Sequence, residues 1–178
     1  MNSFSDDFLK SITVGFKNRF PEMDIDALIS LFPISEIIHV RKKEYYIETG
    51  QYTKNIVFII KGIFRAFFFK EETEHTVWLR KEFDVFASYQ SVLRNTPSNI
   101  TFQAIEDSII VVINYDLMKN KVLENVNVAK NMFIVYENLV LDLIESLEGY
   151  ATLTTEERFQ KLIENNAEIT QRVPQHQL

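Results

Sequence analysis

The hydrophobic periodicity of the chain changes twice, and this change constrains the fold more than any other feature. Between residues 34 and 113, short runs of β-branched and aromatic residues alternate with turn-forming segments. The runs lie at residues 37–40, 45–47, 56–60, 63–69, 75–79, 100–104 and 109–113. Seven or eight short strands at this spacing predict an antiparallel sandwich, jelly roll or small barrel. A mixed α+β domain with fewer strands is the alternative.

The N-terminal end of the chain has the periodicity of helices instead. Apolar residues recur about every four positions over residues 4–20, which predicts an amphipathic helix that Pro21 ends. Asp24 is a suitable N-cap for a second, short helix over residues 25–32, and Pro33 ends that helix. The strand-rich region is therefore expected to follow a pair of helices.

After Asn114 the pattern becomes helical again. One apolar stripe consists of Met132, Tyr136, Leu139, Leu143, Leu147 and Tyr150, and a second consists of Phe133, Val140, Ile144 and Leu147. Gly149 is predicted to end this helix, and Thr154 with Glu157 forms a capping box for the next one. A last segment, residues 169–178, contains Pro174 near a predicted helix start.

Two adjacent stripes on one helix predict that the helix serves two surfaces, its own domain and a partner. An identical chain is the simplest partner, so a homodimer is predicted. The predicted dimer interface consists of Met132, Tyr136, Leu139, Leu143 and Leu147. The alternative is a helix buried in a deep monomer core.

Composition and charge exclude several classes of protein. The 178 residues are 46% hydrophobic and 25% charged, which is close to the globular average. The absence of cysteine excludes disulfides, thiolate metal sites and a cysteine nucleophile. The net charge of −6 argues against broad non-specific binding to nucleic acid. An acidic N-terminus, with no apolar run near the ~18 residues of a membrane span, predicts a cytoplasmic protein without a membrane partner.

The sequence carries no catalytic or metal-binding motif. His39, His75 and His176 are too scattered for a metal site, so no metal ligand is predicted. The serines lack a Gly-x-Ser-x-Gly elbow, and the chain has no phosphate loop of the Gly-x-x-x-x-Gly-Lys type. The chain is therefore predicted not to be an enzyme. A jelly-roll enzyme of the cupin type is the weakest alternative, because such enzymes use a His-rich metal cluster.

Several stretches are similar, in order and spacing, to one protein family. Residues 43–51 and 57–65, with Gly50 and Gly62, look like that family's strand–Gly–strand signatures. Residues 74–76 and then 82–83 look like the next hairpin and the approach to a phosphate-binding cassette, and residues 153–159 with 171–175 look like the stretch before a helix-turn-helix. Together these stretches resemble the Crp/Fnr superfamily of transcriptional regulators.

The resemblance implies an α+β fold of cyclic nucleotide-binding type. An antiparallel β jelly roll flanked by N-terminal helices would be followed by a long dimerisation helix and the start of a winged helix-turn-helix. We therefore expect a sensor domain over residues 1–124, a dimerisation helix over 125–150 and the start of a DNA-binding domain over 151–178. DNA contact would use a recognition helix beyond residue 178, so residues 1–178 alone are expected not to bind DNA specifically.

The ligand pocket departs from that family. Nucleotide-binding members hold the ribose with a Gly-Glu pair and the cyclic phosphate with an Arg followed by Ser or Thr. Such an Arg forms paired, charge-assisted hydrogen bonds with phosphate oxygens. In this chain, Ala87 and Ser88 stand where the resemblance places the first pair, and the stretch Pro97-Ser98-Asn99 falls where it places the second.

The positions that would read the base have also changed. A polar pair on the dimerisation helix corresponds to Leu143 and Ile144, and Arg94 takes the phosphate role only if the register shifts. The candidate pocket residues are Ala87, Ser88, Tyr89, Arg94, Ser98, Asn99, Leu143 and Ile144. We expect that cyclic AMP is not bound in the usual way, and no cofactor is predicted. The pocket is either filled by its own side chains or apolar and open to another small-molecule effector.

These observations lead to two functional hypotheses. The first is a DNA-binding transcriptional regulator similar to the Crp/Fnr superfamily, with a sensor that lacks the usual nucleotide contacts. The second is a stand-alone small-molecule- or cyclic-nucleotide-binding regulatory module with no DNA role, which agrees with the acidic charge balance.

Overall fold

Eight strands form two antiparallel four-stranded sheets in the computed structural model, which describes residues 6–71, 73–165 and 167–174. The strands are β1 (Ser35–Val40), β2 (Tyr45–Ile47), β3 (Asn55–Lys61), β4 (Phe64–Lys70), β5 (Thr73–Arg80), β6 (Val85–Phe86), β7 (Thr101–Ala104) and β8 (Ser108–Asn114). The first sheet has the order β1-β8-β3-β6 and the second β2-β7-β4-β5. This order is that of a jelly roll, and it confirms the predicted fold class.

Strand β6 is the strand that the sequence pattern did not reveal. It pairs with β3 through Val85 opposite Phe58 and Phe86 opposite Val57. The apolar–polar alternation that marks a strand cannot be recognised over two residues. The other strands coincide with the predicted runs to within one or two residues at each end.

Seven helices are described: α1 (Asp6–Arg19), α2 (Ile25–Ile29), α3 (Tyr89–Arg94), α4 (Tyr115–Glu124), α5 (Val126–Thr152), α6 (Thr155–Asn165) and α7 (Ala167–Arg172). As predicted, Asp24 caps α2: its Oδ1 accepts a hydrogen bond from the backbone N–H of Ala27 at 3.0 Å. Helix α2 ends at Ile29, three residues earlier than predicted, and Pro33 lies in a separate 3₁₀ turn, Phe32–Ile34. Residues 4–5 and 175–178 of the predicted helical segments lie outside the described residues.

Helix α5 runs through Gly149, which was wrongly predicted to end it. Glycine weakens a helix interior but does not terminate it unless the backbone turns left-handed there. The capping box of α6 is confirmed: the backbone N–H of Glu157 donates to Thr154 Oγ1 at 3.2 Å, and the Thr154 N–H donates to Glu157 Oε2 at 2.8 Å. The Thr154 hydroxyl also donates to Glu157 Oε2, at 2.9 Å, and together the backbone and side-chain hydrogen bonds from Thr154 hold the pKa of the Glu157 carboxyl below its ordinary value.

Side chains from both sheets meet in one apolar core. Ile59, Phe64, Ala104 and Ile110 are fully buried there, one from each of β3, β4, β7 and β8. The opposite side of β3 is also covered, because the ring of Phe58 packs edge-on against Phe16 of α1 with centroids 6.0 Å apart. Burial on both faces explains why β3 is an almost continuous apolar run.

The chain divides into two units within α5, between Ile134 and Val135. The first unit holds both sheets, helices α1 to α4 and the first turns of α5. The second unit holds the rest of α5 with α6 and α7, and Ile169 and Val173 are buried in it. The domain boundaries and the helix-turn-helix start stay predictions. No helix of the described residues is long and apolar enough to cross a membrane.

The turn between β3 and β4 depends on Gly62. Its φ is +101°, and a Cβ added there would lie 2.0 Å from Ser108 Oγ and 2.9 Å from Ser108 Cα. Gly50 also has a positive φ, +93°, but has open space around its Cα. Gly50→Ala therefore tests backbone conformation alone, and Gly62→Ala tests conformation together with a steric clash.

We expect Gly50→Ala to lower the free energy of unfolding by about 1–2 kcal/mol, since alanine is strained at positive φ. Gly62→Ala should cost a further ~1–3 kcal/mol, because Ser108 must move. Urea unfolding of both variants measures the difference. Equal losses for the two variants would show that the close approach to Ser108 carries no energy.

Candidate functional site

The segment between β6 and β7, residues 87–100, contains most of the candidate pocket residues and is called the cassette here. The loop after β2 holds it in place. The Thr53 N–H donates to Ser91 Oγ at 2.8 Å, and that hydroxyl donates to the Thr53 carbonyl at 3.1 Å. The Gly50 N–H donates to the Ser98 carbonyl, and the Ser98 N–H donates to the Gln51 carbonyl, at 2.8 and 2.7 Å. Both ends of the cassette are thus fixed to one loop.

Ser88 and Ser98 meet inside the cassette. Their side chains lie in direct contact, with Ser88 Oγ donating to Ser98 Oγ at 2.8 Å, and each residue is 2% exposed. Ser98 Oγ in turn donates to the carbonyl of Ile100 at 2.7 Å. Both hydroxyls therefore satisfy their hydrogen bonds within the protein. Neutral and buried, this pair has no charge to attract an anion.

The other cassette candidates have different environments. Ala87 is buried beside Ser88, and Tyr89 is half-buried at the start of α3. Arg94, in the last turn of α3, and Asn99 are exposed. The structure thus brings Ala87, Ser88 and Ser98 into the interior and leaves Arg94 and Asn99 at the surface.

Aromatic rings fill the interior next to the cassette. Phe86, the residue before Ala87, stacks on Phe102 with ring centroids 4.4 Å apart and an interplanar angle of 19°. Phe64 and Tyr46 approach Phe86 at centroid distances of 5.2 and 6.0 Å. Stacked and edge-on arrangements at these distances are favourable for aromatic pairs, and they pack the space between the sheets densely.

Two half-buried rings extend this cluster. Trp78 and Phe68 pack against the core, and the guanidinium of Arg80 lies 5.8 Å from the Trp78 ring. Trp78 thus packs at the margin of the core rather than at its centre. Sequence reasoning missed the stack as a feature of the site, although the high count of 15 phenylalanines was a signal for it.

Arg65 is a buried guanidinium in the first unit, and it has protein partners. Its Nε donates to Gln103 Oε1 at 2.7 Å, its Nη2 pairs with Glu74 Oε2 at 2.5 Å, and its guanidinium lies 4.2 Å from the Phe67 ring. A buried charge needs such partners, because desolvation without them is costly. Arg65 is therefore a structural cation of the second sheet rather than a candidate anion ligand.

Burial controls the ionisation of Tyr46, which lines the same interior. Burial raises the pKa of the Tyr46 phenol above its ordinary value, and the charge of Glu36 raises it further. A hydrogen bond from Asn55 Nδ2 to the phenol oxygen, at 3.3 Å, opposes this rise in pKa.

A raised folded-state pKa means that Tyr46 stabilises the fold below pH ~10, where the phenol is neutral in both states. This stability is lost as the pH rises from about 10 through the folded-state pKa, because only the unfolded chain ionises readily there. We expect Tyr46→Phe to reduce this alkaline loss. Urea unfolding between pH 8 and pH 11 measures it, and an identical pH profile for the variant would contradict the assignment.

Helix α5 carries the remaining candidates. In the described part of the chain, five of its large apolar side chains form an exposed face: Phe133 (68%), Val140 (54%), Leu143 (46%), Ile144 (54%) and Leu147 (59%). Met132, Tyr136 and Leu139 of the predicted interface are half-buried. The exposed face is thus centred on the second predicted stripe, with Leu143 and Leu147 common to both predictions.

Comparison with known proteins gives matches only at the level of structure. No family model and no curated protein matches the chain. A cyclic nucleotide-binding domain from Methylobacillus flagellatus matches with a TM-score of 0.67 and 11% identity, over 80% of this chain and 82% of that one. The fold is that of a cyclic nucleotide-binding domain. The resemblance stated from the sequence is thus confirmed for the fold.

Two bacterial regulators share this fold. The Thermus thermophilus Catabolite Activator Protein matches with a TM-score of 0.61 and 14% identity, over 74% of this chain and 62% of its own length. The sensor domain of the transcriptional regulator DNR from Pseudomonas aeruginosa matches with a TM-score of 0.60 and 15% identity, over 78% of this chain and 95% of that domain. These neighbours are regulatory or sensor proteins rather than enzymes.

Proposed function

We propose that this protein is a cytoplasmic DNA-binding transcriptional regulator similar to the Crp/Fnr superfamily, whose sensor lacks the usual cyclic-nucleotide phosphate and ribose contacts. The observation that carries this proposal is the buried Ser88–Ser98 hydrogen bond in a cyclic nucleotide-binding fold. These are the positions where the resemblance places the carboxylate for ribose and the guanidinium for phosphate.

The binding free energy lost with these two partners is too large for ordinary nucleotide binding. A hydrogen bond to a charged group contributes about 1.5–3 kcal/mol, so two lost partners weaken a complex by about 3–6 kcal/mol. Since about 1.4 kcal/mol is a factor of ten in Kd, a micromolar site becomes roughly hundredfold to ten-thousandfold weaker. The aromatic stack of Phe86 and Phe102 occupies the interior next to the cassette, where it offers no polar group to a nucleotide.

The exposed apolar face of α5 supports a homodimer. Phe133, Val140 and Leu147 are spaced by seven residues, and Tyr136 and Leu143 occupy the intervening positions of the same heptads. Such a seam is typical of paired helices. A face of this kind exposed on a monomer would be an aggregation hazard, and a second copy of α5 covers it.

In the proposed mechanism, the dimer has two arrangements of its α5 helices. An effector that binds the sensor more tightly in one arrangement shifts the population toward it and re-aims the DNA-binding elements. The effector class is a small molecule without a cyclic phosphate, since the cassette offers no buried cation to hold one.

Selection of genomic DNA fragments with the full gene product tests the DNA role. We expect enrichment of a few fragments that share a two-fold symmetric sequence, because a symmetric dimer reads two half-sites. The Leu143→Asp variant should lose this enrichment while keeping its fold. No enrichment by the wild-type protein would overturn the DNA role.

The charge balance favours one further candidate, a regulatory module without a DNA role. The chain has a net charge of −6, and the first turn of α6 carries Glu156 and Glu157. An acidic surface repels phosphates. The same selection distinguishes the candidates, since this module would enrich no fragment and would still be a dimer.

A further inference from the structure

Phe83 has a backbone conformation that a bulky residue rarely adopts. It lies in the turn between β5 and β6, residues 81–84, with a φ of +66°. Hydrogen bonds to β3 fix this turn: the Phe83 N–H donates to the Ile59 carbonyl at 2.8 Å, and the Ile59 N–H donates to the Asp84 carbonyl at 3.0 Å. A strained residue persists only where its surroundings hold it in place.

Helix α1 supplies that hold through three contacts. The ring of Phe83 lies against Gly15 so closely that a Cβ there would be 2.0 Å from a ring atom. The same ring packs edge-on against Phe16, with centroids 5.3 Å apart. Arg19 Nε donates to Asp84 Oδ1 at 3.0 Å, one residue further along the turn. Gly15 is thus needed because a side chain would displace the ring.

The next connection joins the N-terminal helices to α5. The side-chain amide of Asn131, which is 6% exposed, pairs with the backbone of Asp24. Its Oδ1 accepts from the Asp24 N–H at 2.8 Å, and its Nδ2 donates to the Asp24 carbonyl at 2.6 Å. A buried amide is costly when unpaired, so this double hydrogen bond fixes the position of Asn131 relative to Asp24.

Apolar residues on either side of the first connection are buried. Ile12, Phe20 and Met23 are at most 4% exposed. Lys17 Nζ donates to the carbonyl of Met23 at 3.0 Å, which ties the end of α1 to the residue before Asp24. Residues 6–29, called the brace here, therefore form one packed piece that contacts the 81–84 turn through α1 and helix α5 through Asp24.

We infer that the brace couples the turn leading into the cassette to the first turns of α5, with Phe83 and Asn131 as the positioning residues that contact it. A change that frees Phe83 loosens α1, and through Asp24 it loosens the start of α5. The coupling works in both directions, because linkage between two sites is reciprocal. The inference rests on the proposed function only where it gives the coupling a role in regulation. The coupling itself requires neither an effector nor DNA.

Hydrogen exchange of the whole chain, followed by mass spectrometry, tests this coupling. Phe83→Gly removes the ring but suits the positive φ, and Asn131→Ala removes the amide. We expect Phe83→Gly to raise exchange over residues 126–134 by about fivefold or more, and Asn131→Ala to do the same over residues 81–86. In the double variant, the increase should be smaller than the product of the single increases.

Two further variants separate coupling from a general loss of stability. Gly15→Ala keeps both positioning residues, Phe83 and Asn131, but displaces the Phe83 ring. It should therefore raise exchange over residues 126–134 in the same way. Phe69→Ala, at a side chain 54% exposed on β4, should leave that region unchanged. Unchanged exchange over residues 126–134 in both Phe83→Gly and Gly15→Ala, or a double variant equal to the product, would overturn the inference. Neither result depends on DNA binding.

Discussion

We expect Leu143→Asp to convert the proposed dimer into a monomer. Leu143 is 46% exposed in the single chain and lies on the apolar face of α5 with Val140 and Leu147. In the proposed dimer a carboxylate at this position would be buried in an apolar seam on both chains, where desolvation costs several kcal/mol per charge. Sedimentation equilibrium measures the mass, and we expect one chain for the variant and two for the wild type.

Leu141→Asp is the matched control. Leu141 is 58% exposed, so it is at least as accessible as Leu143, but at 100° per residue it lies about 100° around the helix from Val140. We expect this variant to stay dimeric. A wild-type monomer, or a dimer that survives Leu143→Asp, would contradict the proposed interface.

Phe102→Ala should cause a large loss of stability in the sensor. Phe102 is 1% exposed and stacks on Phe86 between the two sheets. Truncation of a buried Phe removes its transfer free energy and leaves a cavity, which together cost about 3–5 kcal/mol. Urea denaturation followed by circular dichroism measures this loss in the free energy of unfolding.

Phe69→Ala provides the comparison on the second sheet. Phe69 lies on β4, next to β7, and is 54% exposed, so its loss should cost about 1 kcal/mol or less. Similar losses for the two variants would show that the aromatic interior is not packed as described.

Helix caps and strands could be predicted from the sequence where the residues that form them are close together in the chain. The caps formed by Asp24 and Thr154 satisfy backbone groups only three residues away, so their signatures lie within a few positions. The strands of the jelly roll were predictable for a similar reason, since their runs of apolar residues are bounded by turns.

The contacts that position the candidate site depend on distant residues, and no local pattern encodes them. Phe83 contacts Gly15 and Asp24 contacts Asn131, over sequence separations that only the folded chain closes. Helix α5 continues through Gly149 because glycine only weakens a helix, so its presence alone does not fix where a helix ends. The Ser88–Ser98 hydrogen bond is likewise a contact that no local pattern encodes, although the sequence identified both residues as departures from the family.

Calorimetric titration of cyclic AMP and cyclic GMP into the purified chain tests the central claim, that the cassette has lost the usual nucleotide contacts. With Ser88 and Ser98 bonded to each other and no buried cation in the cassette, we predict no heat of binding and no shift in Tm at tens of micromolar nucleotide, and a Kd of about 0.1 mM or weaker. The Arg94→Ala variant, titrated in parallel, should behave identically. Micromolar binding by the wild type would contradict the account, and its loss in Arg94→Ala would identify Arg94 as the phosphate ligand.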